Sequence, residues 1–145
     1  MTIEIRETPF DPYAVLAHYQ EGMTELQGRY GATASFVGTM RDHNEGSTVT
    51  EMILEHYPGM TERHLQHIVA EAQQQWPLLD TLIVHRVGAL QPNDTIVLVA
   101  VWSAHRTAAF ESCRFIMEAL KSRAPFWKKE ALPAGERWVA SNTAG

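Results

Sequence analysis

Three segments with helical periodicity divide this chain into groups of β-rich runs, and their order constrains the fold more than any other feature. Ile3 and Ile5 alternate with polar residues, as a half-buried strand requires, and Asp11-Pro12 supplies a cap and a first-turn proline for a helix over about residues 12–22. The runs 30–40 (YGATASFVGTM) and 48–57 (TVTEMILEHY) read as two strands around the polar loop RDHNEGS. Residues 61–76 carry Leu65, Ile68, Val69 and Ala72 in an i, i+3, i+4, i+7 series that Pro77 ends. The β-rich runs 81–87 and 95–103 flank a Pro92-Asn93-Asp94 turn, which predicts neighbouring strands. The longest helical pattern, 104–122, sets Ala109, Cys113, Ile116, Met117 and Leu120 on one stripe, with Pro125 just beyond it. Two short strand-like pieces, 127–132 and 137–141, follow. The resulting β-α-β-β-α-β-β-α-β-β order predicts a single α+β domain over residues 1–145, with a mixed or antiparallel sheet and three main helices. It does not fit a regular doubly wound sheet.

Several function classes recede at once. A lone cysteine, Cys113, precludes an intramolecular disulfide framework and a Cys-based zinc ribbon, and points to a reducing compartment, so a cytoplasmic location is expected. Residues 1–20 lack a basic start followed by an apolar run, and no stretch approaches the ~18 apolar residues of a membrane span. Neither export nor a membrane partner is expected, and Asn93-Asp94-Thr95 reads as a turn and not as a glycosylation acceptor. GxGxxG, GxxxxGK[ST] and GxSxG are all absent, against dinucleotide, P-loop and α/β-hydrolase chemistry. His64 and His67 lie three apart on the second helix, but no third ligand is fixed, so no metal is expected.

Charge supplies the first positive clue. Residues 1–80 hold 4 Lys/Arg against 12 Asp/Glu, a net −8, whereas residues 81–145 hold 8 against 5, a net +3. The acidic total argues against nucleic acid as a partner. Yet Lys121, Lys128 and Lys129 fall within nine positions, with Arg123 between them, and suit a local pocket for a small anion. Crowded cations lower a lysine's pKa, which makes an amine usable as a nucleophile or acid/base near neutral pH. Ser103-Ala104-His105-Arg106 opens the third helix, where free N–H groups and the helix dipole favour an anion. Arg41, in the loop Gly38-Thr39-Met40-Arg41-Asp42-His43-Asn44, offers a further cation just after a strand. Arg106 and Lys121 are 15 residues apart on one helix, about 22 Å along its axis. If both serve one small ligand, a symmetric dimer must bring them together, which predicts a composite site.

The stretches FVGTMRDHNEG (36–46), LEHYPGMTE (54–62), HRVGAL (85–90), SAHRTAAFE (103–111), FIMEALKSRAPFWKKE (115–130) and RWV (137–139) together resemble the catalytic (large) subunits of molybdopterin synthase, the MoaE family. The resemblance implies an α/β hammerhead-type fold and the conversion of cyclic pyranopterin monophosphate to molybdopterin by insertion of two sulfurs as a dithiolene. It implies as partner a small ubiquitin-like sulfur-carrier subunit whose C-terminal Gly-Gly ends in a thiocarboxylate, and a homodimer within a heterotetramer. No resident cofactor is implied. The family's substrate contacts fall on Thr39, Met40, Arg41, His105, Arg106, Lys121, Lys128, Lys129 and Glu130, with Lys121 and Lys128 as catalytic amines. Family members often carry Lys where Thr39 stands, so one family cation is missing here.

Two other readings compete. One is a binding module that kept the fold and holds anions or a partner without catalysis. The other is a hydrolase built on Cys113 and His105, against which stands the place of Cys113 on the apolar stripe.

Overall fold

The computed structural model describes residues 1–139. Strand β1 (Thr2–Arg6) leads into helix α1 (Pro12–Glu21), which starts where the sequence places it. Asp11 Oδ1 accepts the backbone N–H groups of Tyr13 and Ala14 at 2.9 and 3.3 Å, and Pro12 takes the first helical position, where no donor is lost. A 3-10 turn at Thr24–Leu26 precedes β2 (Ala32–Thr39), the two-residue strands β3 (His43–Asn44) and β4 (Ser47–Thr48), and β5 (Glu51–His56). Then come α2 (Met60–Gln75), β6 (Leu78–Arg86), β7 (Gly88–Leu90), β8 (Thr95–Ser103), α3 (Arg106–Arg123), β9 (Phe126–Leu132) and β10 (Gly135–Trp138).

Two four-stranded sheets form, in the orders β1-β6-β8-β2 and β10-β9-β5-β7, with β3 and β4 as a separate hairpin. Among the described residues only β1 and β6 pair in parallel; the other ladders are antiparallel, which gives the expected mixed α+β architecture. The expected neighbours 81–87 and 95–103 are the β6–β8 pair. The two runs around the polar loop, β2 and β5, enter different sheets, and the loop itself folds into the β3–β4 hairpin.

The segment after β6, read from sequence as turn alone, contains β7. Gly88 at φ +87° redirects the chain, and three residues pair with β5 through Met52↔Leu90, Ile53↔Ala89 and Leu54↔Gly88. Leu90 alone drives this segment inward, too little pattern to mark a strand. Of the expected strand 137–141, residues 137 and 138 belong to β10; residues 140 and 141 lie outside the described residues.

The central strands β6 and β8 are buried almost continuously because helices cover both faces of their sheet. Ile83, Val97, Val99 and Val101 point to one face and pack with Leu65, Ile68 and Val69 of α2 and Ile116 and Leu120 of α3. Leu82, Val84, Leu98, Ala100 and Trp102 point to the other, against Val15, Leu16 and Tyr19 of α1. The stripe Ala109, Cys113, Ile116, Met117 and Leu120 is buried as its spacing predicts.

Two details fix α3 against the sheet. A Cβ at Gly31 would lie 2.4 Å from the Ala104 carbonyl oxygen, so only glycine lets β2 begin this close to the start of the helix. At the other end Pro125 stops the helix, and its carbonyl accepts the Thr61 hydroxyl at 3.1 Å. The chain therefore reverses from α3 into β9 within a few residues, bringing the last helical turn beside the new strand.

Candidate active site

That reversal sets up the cleft. Lys121 lies in the last turn of α3, and β9 then presents alternate residues to opposite faces. Lys128 and Glu130 face the cleft, while Trp127 and Lys129 face away from it. The opposite wall comes from the end of β2, where the β2–β8 register shifts between Gly38 and Thr39 and re-aims the strand. Met40 is anchored there by the Pro-Asn-Asp turn: its N–H donates to Asp94 O at 2.9 Å and its carbonyl accepts Asn93 N–H at 2.8 Å. The cleft is about 360 Å³ and collects Thr39, Met40, Arg41, Lys121, Lys128 and Glu130. Six of the nine residues expected at a substrate site thus line one cavity of a size that suits a small molecule.

The two lysines are electrostatically unequal. Burial, first, and the neighbouring Lys121 ammonium, second, together push the pKa of Lys128 down to about 8. Beneath them His85 is buried and stacks on Phe126, with ring centroids 3.9 Å apart. Its Nδ1–H donates to Arg86 O at 2.7 Å, and burial drives its pKa down to about 3, aided by the charges of Lys121 and Lys128. His85 is therefore neutral and adds no charge under the lysine pair.

Glu130, 5% exposed, has both carboxylate oxygens occupied. Oε1 accepts Arg137 Nε–H and Oε2 accepts Asn44 Nδ2–H, each at 3.0 Å. A carboxylate held from two sides is suited to fixing the cleft wall.

The remaining three expected residues lie elsewhere in the chain. His105 caps α3 without a side-chain cap bond and Arg106 begins it; both are exposed and stand at the end of the helix remote from Lys121. Lys129 pairs with Glu136 at 2.7 Å and sits 5.6 Å from the Trp138 ring centroid; the Glu136 carboxylate raises its pKa. Cys113 is buried and its thiol is pushed up to about 11 by desolvation. His105 is eight residues away on the same helix, about 12 Å along the axis, so the two form no nucleophile and base pair within the chain. Among the described residues no cluster of three or more His, Cys, Asp or Glu is placed to hold a metal.

Sequence reasoning missed His85, Asn44, Arg137 and Val139. Val139 lines the cleft and is tied in by its N–H, which donates to Lys128 O at 2.9 Å. His85 stands in the stretch HRVGAL, Asn44 in FVGTMRDHNEG, and Arg137 and Val139 in RWV, but neither spacing nor charge distinguishes them there.

Known proteins resemble this chain in both sequence and fold. The family described as MoaE protein matches residues 5–123. The molybdopterin synthase catalytic subunit of Ralstonia nicotianae is 56% identical over 138 residues, which are 95% of this chain and 76% of that protein. That of Pseudomonas aeruginosa is 50% identical over 139 residues, 96% of this chain and 90% of its own. Among solved structures, a molybdopterin biosynthesis MoaE protein from Burkholderia ambifaria superposes with a TM-score of 0.80 at 49% identity, covering 99% of this chain and 92% of that one. Molybdopterin synthase from Staphylococcus aureus gives 0.82 at 34% identity, covering 94% and 96%. With the family match spanning most of its length and relatives sharing half of its residues, the chain belongs to the MoaE protein family.

Proposed function

We propose that this chain is the catalytic subunit of a molybdopterin synthase, a sulfurtransferase of molybdenum cofactor biosynthesis, and that the cleft between β2 and β9 is its active site. The observation that carries this reading is the Lys121–Lys128 pair, which lines one cleft and in which the pKa of one amine is lowered to about 8 beside a second cationic side chain. A module that only binds anions has no use for a lowered lysine pKa, whereas the shift to about 8 makes the Lys128 amine a usable base just above neutral pH.

The substrate is cyclic pyranopterin monophosphate. Sulfur arrives as the thiocarboxylate at the C-terminal Gly-Gly of a small ubiquitin-like subunit, because the one cysteine of this chain is buried and held as a thiol. The thiocarboxylate sulfur bonds to a substrate carbon as a carbon–oxygen bond at that carbon breaks, the oxygen leaving as water or with the phosphate; water then cleaves the bond between the glycyl carbonyl carbon and sulfur, leaving that sulfur on the product and an ordinary carboxylate on the carrier. A second carrier repeats the transfer to complete the dithiolene. Lys128 takes up the proton that water loses, and the charge of Lys121 holds the thiocarboxylate and the developing oxyanion. Arg41, at the cleft wall, suits the phosphate, with Thr39 and Met40 beside it.

His105 and Arg106 join the site from a second copy of the chain, in a homodimer that carries a small subunit at each end as a heterotetramer. Phe110, 69% exposed one turn from Arg106, gives that helix end an apolar surface for such a contact. A reducing, cytoplasmic setting fits the free Cys113, and no helix among the described residues is long and apolar enough to cross a membrane.

The test is product formation from cyclic pyranopterin monophosphate and thiocarboxylated carrier, comparing the wild type with folded, dimeric Lys121→Ala and Lys128→Ala. Turnover by the wild type and its loss in both variants supports the reading; a wild type that binds both reactants without converting them overturns it.

A further inference from the structure

We propose that Arg137 is a positioning residue, whose guanidinium ties the β3–β4 hairpin to Glu130 and so fixes two walls of the lysine cleft relative to one another. The inference rests on the functional reading above and adds a residue to which that reading gives no part.

Arg137 lies directly across the β9–β10 ladder from Glu130. Its Nε–H donates to Glu130 Oε1 at 3.0 Å, and its Nη2–H donates to the carbonyl oxygen of Asn44 at 2.8 Å. Asn44 closes the ring by donating Nδ2–H to Glu130 Oε2 at 3.0 Å. Nη1 stands 3.6 Å from Glu45 Oε2 on the hairpin turn. Three residues from two hairpins thereby form one cycle around a nearly buried carboxylate, and a planar fork is the side chain that can serve carboxylate and carbonyl together.

The cycle controls two things. It holds the chain that carries Arg41 and His43 against the strand that carries Lys128. It also sets how much negative charge Lys128 feels. Facing Lys128 are Lys121 and Glu118 of α3, His85 of β6, Arg41 and His43 of the loop, and Glu130 on its own strand. Glu130 is the carboxylate that opposes the depression of Lys128, and Arg137 partly neutralises it. Loss of the guanidinium leaves Glu130 free to stabilise the ammonium form.

The experiment uses the full chain as Arg137→Gln and Arg137→Lys. Trace acetylation with acetic anhydride across pH, followed by mass spectrometry of the Lys128 peptide, gives the midpoint at which that amine becomes reactive, with Lys129 as internal control. KM and kcat are measured with cyclic pyranopterin monophosphate and thiocarboxylated carrier. Arg137→Gln is expected to move the Lys128 midpoint upward and to raise KM roughly tenfold, the scale of one lost charge-assisted hydrogen bond. Arg137→Lys restores the midpoint, since it keeps the charge, but not KM, since it lacks the fork. The inference is overturned if Arg137→Gln lowers only Tm and leaves midpoint and KM at wild-type values, or if Arg137→Lys fails to restore the midpoint. A wild type without turnover refutes the functional reading and with it the KM arm, while the labelling still tests the electrostatic link of Arg137 to Lys128.

Discussion

Lys128 and Lys129 are neighbours in sequence and face opposite sides of β9: one lines the cleft with its pKa pushed down to about 8, the other is half-buried outside it, paired with Glu136 at 2.7 Å and shifted up. Strand alternation alone creates the difference. If the Lys128 amine is the working base, the single-turnover rate rises with pH as that lysine loses its proton, with a midpoint near 8. Lys128→Ala is expected to lower the rate by about 10²- to 10⁴-fold, the usual contribution of a positioned acid or base. Lys129→Ala, which removes a screened surface pair, should stay within about twofold. A rate profile flat between pH 6.5 and 9, or equal losses in the two variants, removes Lys128 from its part.

His85 makes the fold sensitive to acid. Its pKa falls from 6.5 unfolded to about 3 folded, so between these values the unfolded chain binds the extra proton. Stability from this group is thus complete above pH 6.5 and declines as pH drops through the window, by about 1.4 kcal/mol per pH unit once the unfolded histidine is charged. His85→Asn keeps a donor for Arg86 O but does not titrate. Urea unfolding at pH 7, 5.5 and 4 should show a shallower decline for the variant; parallel curves would mean that His85 is protonated in the native state.

Cys113 tests the competing thiol chemistry. Buried, with its thiol pushed up to about 11, it carries almost no thiolate at pH 8. Cys113→Ala should retain wild-type turnover at a stability cost of about 1 kcal/mol, and iodoacetamide at pH 8 should label the native protein far more slowly than the urea-unfolded one. Loss of turnover in a folded Cys113→Ala protein would revive a cysteine nucleophile.

These contrasts also show where the sequence was legible. Period and punctuation located every helix and the β6–β8 pair, because Asp11-Pro12, Pro77, Pro92-Asn93-Asp94 and Pro125 act locally. The exchange of β2 and β5 between sheets was not legible, nor was β7, since short strands are chosen by partners distant in sequence. Charge crowding marked Lys121 and Lys128, whereas Lys129 looked equivalent until strand alternation turned it outward. Arg137 and Asn44 were hidden for the same reason: their contacts span 93 residues, and no pattern along the chain encodes a ring closed that far apart.

The helix α3 poses the last question, because it separates residues that the functional reading unites. Arg106 opens it and Lys121 lies in its final turn, 15 residues and about 22 Å along the axis, so one chain cannot bring both to one small ligand. If the site is shared between two copies, Arg106→Ala and Lys121→Ala must fail alone and complement each other. Each mixed dimer then contains one site with Lys121 from one chain and Arg106 from the other, and one site lacking both. Unfolding and refolding an equal mixture gives mixed dimers in about half of the population, so about a quarter of wild-type turnover should return. Activity that stays at the level of the separate variants, with mixed dimers verified by native mass spectrometry, would place Arg106 outside the site altogether.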